Sequence, residues 1–181
     1  MARHALRSSA GGGLMMIAFK ITTALLQDVR KDLHRPHPFA HERVGFISAG
    51  VSSFRDGLIL LAREYRTVPD TQYLRSHEVG AMMGPHAIRD ALQWAMQTGS
   101  ALFHVHTHRG RGVPQFSGID FRENRKFVPD FFKVAPQCPH GAIVLSDSAA
   151  RGHVWLGRRA VPLDVTQFCE VGVALGKWRP A

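Results

Sequence analysis

The chain has 181 residues, 45% hydrophobic and 20% charged, with a formal net charge of +9. That length holds one domain with a real core, and that balance is globular, which excludes a disordered chain apart from its ends. The charge favours acidic partners, but the basic residues are scattered rather than clustered, which argues against a dedicated nucleic-acid surface.

Residues 1–13, MARHALRSSAGGG, are basic, lack acids and end in three glycines. They read as a flexible leader, or as an upstream start ahead of a natural one at Met15 or Met16, before a single domain over 14–181. The apolar run Leu14 to Phe19 stops at Lys20 and is too short for a membrane span or a secretory signal, so no membrane partner and a cytoplasmic location are expected. Cys138 and Cys169 do not make a disulfide framework and read as free thiols.

Leu14 to Thr22 predicts a first strand. Thr22 or Thr23 then caps a helix to about His34, with Leu25, Leu26, Val29 and Leu33 at helical spacing. Arg35-Pro36-His37-Pro38 ends it. Glu42 to Gly50 predicts a strand in which Gly45 marks a bulge or a close approach of another backbone. Gly57 to about Val68 predicts its hairpin partner across the Asp56-Gly57 turn. Pro69 to Gly84 has no regular pattern. Pro85 opens a helix ending near Gly99, with Ile88, Ala91, Leu92, Ala95 and Met96 as its apolar stripe. A buried strand, Ser100 to His108, follows. Ser117 to about Val128 predicts a helix stopped by Pro129. Strands are expected over 141–145, 152–156 and 160–165. The fold class is α+β, α/β/α-like: a mixed, mainly antiparallel sheet flanked by helices.

The strand Phe103 to His108 carries histidines at alternate positions. Residues two apart in a strand face the same way, so His104, His106 and His108 share a face. Two imidazoles and a carboxylate suit zinc, with the fourth position left for water. Asp120 supplies a carboxylate a short way downstream. Each piece also has a purely structural explanation. A strand histidine is commonly a satisfied core residue, and Ser117-Gly118-Ile119-Asp120 ahead of a helix matches a capping box.

Together, His106-Thr107-His108 and Ser117-x-x-Asp120 resemble the JAMM signature of the JAB/MPN metalloprotease family: His-x-His, a spacer, then Ser-x-x-Asp. Glu42-Arg43-Val44-Gly45-Phe46 resembles the upstream glutamate motif of that family, and the likeness runs from about Leu14 to Leu156. The spacer Arg109 to Phe116 is one residue longer than usual, and Arg109 stands where a proline commonly follows the second histidine.

The resemblance implies an MPN/JAB (cytidine-deaminase-like) fold holding one zinc per chain on His106, His108 and Asp120. It makes Glu42 the general base and Ser117 the oxyanion donor, and leaves His104 as a neighbouring group. Glu64 and Glu78 are weaker candidates for the base. It further implies cleavage after the C-terminal glycine of a ubiquitin-like protein, in free or conjugated form. Activating and conjugating enzymes would be possible partners, as in bacterial systems of which some are antiviral. Processing of a sulfur-carrier adduct or precursor, or a non-catalytic scaffold, are the alternatives. Pro69 to Gly84 lies where deubiquitinases of the family often carry a substrate-contacting insertion, which would give Tyr73, Met82 and Met83 apolar contacts with substrate.

Overall fold

A computed structural model describes residues 15–38, 40–54, 57–75 and 80–172, and the backbone of 176–178. The expected leader, Leu14, the Arg55-Asp56 turn dipeptide and Glu78 lie outside the described residues.

Strand β1 (Ile17–Thr22) leads directly into helix α1 (Thr23–Leu33), because the Thr22 hydroxyl accepts the Leu25 amide at 3.2 Å and so caps the helix. Leu26, Val29 and Leu33 bury the inner face of α1. Strands β2 (Val44–Phe54) and β3 (Gly57–Thr67) form the expected antiparallel hairpin. The bulge falls between Ser48 and Ala49, not at Gly45. Gly45 instead makes room for an aromatic ring: a Cβ there would collide with the phenol of Tyr65 on the paired strand.

The segment after β3 has some order of its own. A short 3-10 turn (Asp70–Gln72) precedes β4 (Tyr73–Leu74), which pairs antiparallel with β5 (Met82–Met83) as a separate small sheet. Helix α2 (Pro85–Thr98) starts on its proline and ends at Gly99, whose φ of 56° is the left-handed conformation that glycine accepts without strain. Its buried residues are Ala87, Ala91, Trp94 and Ala95, whereas Met96 is 58% exposed. The stripe is rotated from the expected one because Trp94 goes inward and carries the largest apolar surface.

Strand β6 (Ala101–Thr107) is followed by α3 (Gly118–Phe131). That helix runs through Pro129 rather than stopping at it. Proline removes one helical hydrogen bond, but Val128 and Phe131 on either side are fully buried and hold the last turn against the core. Strands β7 (His140–Leu145), β8 (Ala150–Trp155), β9 (Leu163–Asp164), β10 (Gln167–Val171) and β11 (Gly176–Trp178) complete the chain. The strand expected over 160–165 shrinks to two residues. The tail supplies β10 instead, parallel to β1, a pairing across so many residues that no local pattern announces it.

The main sheet has nine strands in the order β11-β10-β1-β3-β2-β6-β7-β8-β9. Its β1–β10, β1–β3 and β6–β7 pairings are parallel and the other five antiparallel, so the sheet is mixed and mainly antiparallel. Side chains alternate across it. Phe103 and Val105 of β6 pack with Leu26, Val29 and Leu33 of α1, whereas Leu102 packs with Trp94 of α2 and Phe131 of α3. Thus α1 covers one face and α2 and α3 the other, an α+β arrangement in three layers. Among the described residues no helix is long and apolar enough to cross a membrane. Both cysteines are free.

Candidate metal centre

The candidate centre is assembled at the C-terminal end of β6, where three elements meet. Val44 of β2 is paired with His106 in the antiparallel register. Glu42, two residues before Val44, therefore comes level with His108, two residues after His106. Glu42 is not part of the strand, as its motif suggested; it lies just ahead of β2. The third element is the N-terminus of α3, which brings Ser117 and Asp120.

Two imidazole nitrogens and a carboxylate converge. His106 Nε2 and His108 Nε2 are 3.3 Å apart, and the two oxygens of Asp120 lie 3.5 Å from His106 Nε2 and 3.5 Å from His108 Nε2. A tetrahedral zinc with bonds of about 2.0–2.1 Å holds its ligands about 3.3–3.4 Å apart, which is the spacing of the two imidazole nitrogens. The Glu42 carboxylate joins the two imidazoles in a cluster whose donor atoms all lie within 4.8 Å of one another. Either carboxylate completes a triad. Asp120 is held by its helix cap, and Glu42 lies beside the same two imidazoles.

Asp120 is held by the capping box. The Ser117 amide donates to Asp120 Oδ2 at 2.6 Å, and the Asp120 amide donates to Ser117 Oγ at 3.1 Å. The helix cap and the ligand site are thus the same residues: the cap aims the carboxylate at the histidines. Burial works against ionisation of Asp120. Hydrogen bonding and charge from His106, with the hydrogen bonds from Ser117, outweigh it and hold the carboxyl well below the usual carboxylate range. Ser117 is exposed, so its hydroxyl hydrogen can face a ligand in the cleft.

His106 is almost wholly enclosed, with its side chain 2% exposed; His108, at 26%, faces the cleft. His104 is not part of the donor set. It is buried, with its ring stacked 5.4 Å from that of His106 and edge-on to Phe127. Burial, and next the neighbouring His106, push its pKa down to about 3, so it is a neutral packing group.

Two positions that the sequence did not flag hold Glu42. The carbonyl of Gly80 accepts the amides of His41 at 2.9 Å and Glu42 at 3.1 Å. Arg43 is buried beside it and donates to the carbonyls of Arg35 (2.9 Å) and Pro36 (2.6 Å) and to Asp70 (2.5 Å). An arginine next to a glutamate in sequence carries no signal that it will be buried. Glu64 lies on β3, ion-paired with Arg66 and away from the centre.

The expected substrate contacts divide. Tyr73 is 6% exposed, and its hydroxyl accepts the Val44 amide and donates to the Val44 carbonyl, so it belongs to the core and offers no surface to a substrate. Met83 is partly buried against the same cluster. Met82 is exposed and pairs across the small sheet with exposed Leu74.

No family model matches the chain, and no curated protein does. Among solved structures, the chain has a likeness to the STIL N-terminal domain of Trichoplax adhaerens, with a TM-score of 0.36 and 12% identity over 83% of this chain. The chain spans about half (47%) of that protein chain. A likeness this slight carries neither a fold assignment nor a function.

Proposed function

We propose that this chain is a zinc-dependent peptidase or isopeptidase of the JAB/MPN (JAMM) type, cleaving after the C-terminal glycine of a ubiquitin-like protein. One observation carries the reading: two imidazole nitrogens 3.3 Å apart, each 3.5 Å from an oxygen of the Asp120 carboxylate, with the Glu42 carboxylate in the same cluster. The order of these residues along the chain, and the likeness of their motifs to that family, support the same reading.

His106, His108 and Asp120 would hold the ion. When bound, zinc supplies a Lewis acid and brings the ionisation of water toward neutral pH. Glu42 would then accept the proton of the attacking water on its carboxylate and deliver it to the leaving amine. The Ser117 hydroxyl would donate to the substrate carbonyl oxygen as negative charge develops there. Ser117 is not the nucleophile, because its oxygen is committed as an acceptor to the Asp120 amide. A non-catalytic scaffold would not need Glu42 held beside the imidazoles.

The test is a pair of measurements on purified full-length protein. Zinc content should approach one ion per chain and fall to background in His108→Ala. Glu42→Gln should keep its zinc and lose cleavage of a fusion joined through the terminal glycine of a ubiquitin-like protein. A wild-type chain that binds no zinc, or a Glu42→Gln variant that cleaves normally, would overturn the proposal.

A further inference from the structure

The cleft that opens beside Glu42 and His108 has a charge of its own. It encloses about 920 Å³ and is walled by His34, Arg35, His37 and His41 on one side, and by Arg109 and Asp147 on the other. Arg109, which lines it, opens the Arg109–Gly112 loop, part of the spacer that is a residue longer than the family pattern. Gly110 and Gly112 have φ of 112° and 96°, values that favour glycine. The loop is fixed all the same. The Gly110 carbonyl accepts the Asp147 amide at 3.1 Å, the Gly112 carbonyl accepts the Ser146 hydroxyl at 2.6 Å, and the Gly112 amide donates to Ser148 Oγ at 3.1 Å. Arg30 of α1 ties down the opposing turn, donating to the carbonyls of Asp147 and Ser146 at 2.8 and 3.1 Å.

This fixed loop presents Arg109 and Arg111, both exposed, and neither has an acidic partner among the described residues. Of the acids in the cleft wall, Glu42 is assigned to proton transfer, which leaves Asp147 alone against the arginines. Arg109 at the cleft wall and Arg111 two residues on, both on a fixed backbone, meet carboxylates at little ordering cost.

We propose that the Arg109–Gly112 loop is a specificity element that selects substrates with an acidic segment near the cleaved bond. This rests on the peptidase reading and sharpens it by naming the charge of the polypeptide that the cleft accepts. A nucleic acid offers anions too, but the cleft opens on the proposed peptidase centre, which favours a polypeptide, and an oligonucleotide is the competitor in the test.

The experiment reads binding apart from catalysis. A fluorescein-labelled peptide with a run of glutamates, and its glutamine counterpart, are titrated into the zinc-loaded full chain at low and moderate salt. The glutamate peptide should bind at least about tenfold more tightly at low salt and lose most of that advantage as salt rises. Arg109→Gln/Arg111→Gln should abolish the difference with zinc content unchanged. Arg109→Glu/Arg111→Glu should reverse it in favour of a lysine peptide. Equal binding of the two peptides to wild type, a preference that survives the double substitution, or tighter binding of a single-stranded oligonucleotide would each overturn the proposal. Zinc content and fusion cleavage, recorded on the same samples, report separately on the peptidase reading.

Discussion

Gly80 and Glu42 fit together in a way that only glycine allows. The Gly80 carbonyl receives the amides of His41 and Glu42, and a Cβ built on Gly80 would lie 2.6 Å from Glu42 Cδ and 2.7 Å from its Oε2. The missing side chain is therefore the space that the carboxylate occupies. Gly80→Ala should push the carboxylate off its position while leaving His106, His108 and Asp120 untouched. The expected result is wild-type zinc content with kcat lowered by about 100-fold, the cost of a displacement of about 1 Å at a reacting group. Steady-state kinetics with parallel metal analysis checks this; full activity in Gly80→Ala would mean that Glu42 has no fixed role.

Ser117 is expected to do two separable things. Its oxygen caps α3, and in the proposed reaction its hydroxyl turns to donate to a substrate oxyanion. Ser117→Ala should cost about 1 kcal/mol of stability as a lost cap, and about 100-fold or more in kcat as a lost oxyanion donor. Ser117→Thr keeps a hydroxyl in both roles and should restore most of each. The Ser117 amide still holds Asp120 in either variant, so zinc affinity should change little. Equal kcat in Ser117→Ala and wild type would leave the serine as a cap alone.

Asp120 itself should behave differently from Glu42. Asp120→Asn keeps the shape of the cap but removes the charge that faces the two imidazoles, so zinc binding should fall while the apo fold persists. Adding zinc raises the thermal midpoint only to the extent that the native state binds it: about 2.7 kcal/mol at a free concentration 100 times the dissociation constant. Wild type should show that upward shift in a zinc titration and Asp120→Asn should not. The same shift in both would assign the third ligand to Glu42.

The histidines were legible in the sequence because a strand reports its faces by alternation, and His106 and His108 occupy one face however the rest packs. The Ser117–Asp120 capping box was legible for a different reason: the cap and the proposed ligand motif use the same spacing, so one pattern announces both. Glu42 could be found by its motif but not by its position, since it precedes the strand and reaches His108 through the register of Val44 with His106. Gly80 and Arg43 act through backbone contacts between segments distant in sequence, which leave no local pattern. Tyr73 misled because an aromatic in an irregular stretch looks exposed until its hydroxyl finds the Val44 backbone. The β1–β10 pairing was hidden because parallel strands carry no turn between them. Arg109, which entered as a departure from a motif, is the residue whose meaning the fold changes most.

Arg43 makes the strongest case for a residue that positions Glu42 from behind. Its guanidinium is buried on two carbonyls and on Asp70, and the hydrogen bond from Arg43 is the main reason that the Asp70 carboxyl stays below its ordinary range. Arg43→Met would leave the Arg35 and Pro36 carbonyls and Asp70 without their donor. The loss should be about 3 kcal/mol, chiefly from two carbonyls left without their donor. Asp70 is partly exposed, so Asp70→Asn should cost less, about 1 kcal/mol. Urea unfolding of the two variants tests the ranking, and Asp70→Asn costing more than Arg43→Met would contradict it.

His140 sets an acid limit on stability that needs no metal. It is fully buried, with Nδ1 accepting the Leu102 amide at 3.1 Å and Nε2 donating to the Ala135 carbonyl at 2.9 Å. Those partners fix the neutral tautomer. Burial pushes the pKa down to about 4, with the Ala135 carbonyl opposing it only in part. The unfolded chain, with an ordinary value near 6.5, binds a proton in a range where the folded chain does not. Stability from this group is therefore complete above about pH 6.5, declines as the pH falls, and is gone below about pH 4. The difference is worth roughly 3 kcal/mol. Urea unfolding of metal-free protein between pH 7 and pH 4 should show that decline. In His140→Gln the slope should be shallower and not flat, because buried His104 contributes with the same sign. An unaltered slope in the variant would place the acid sensitivity elsewhere.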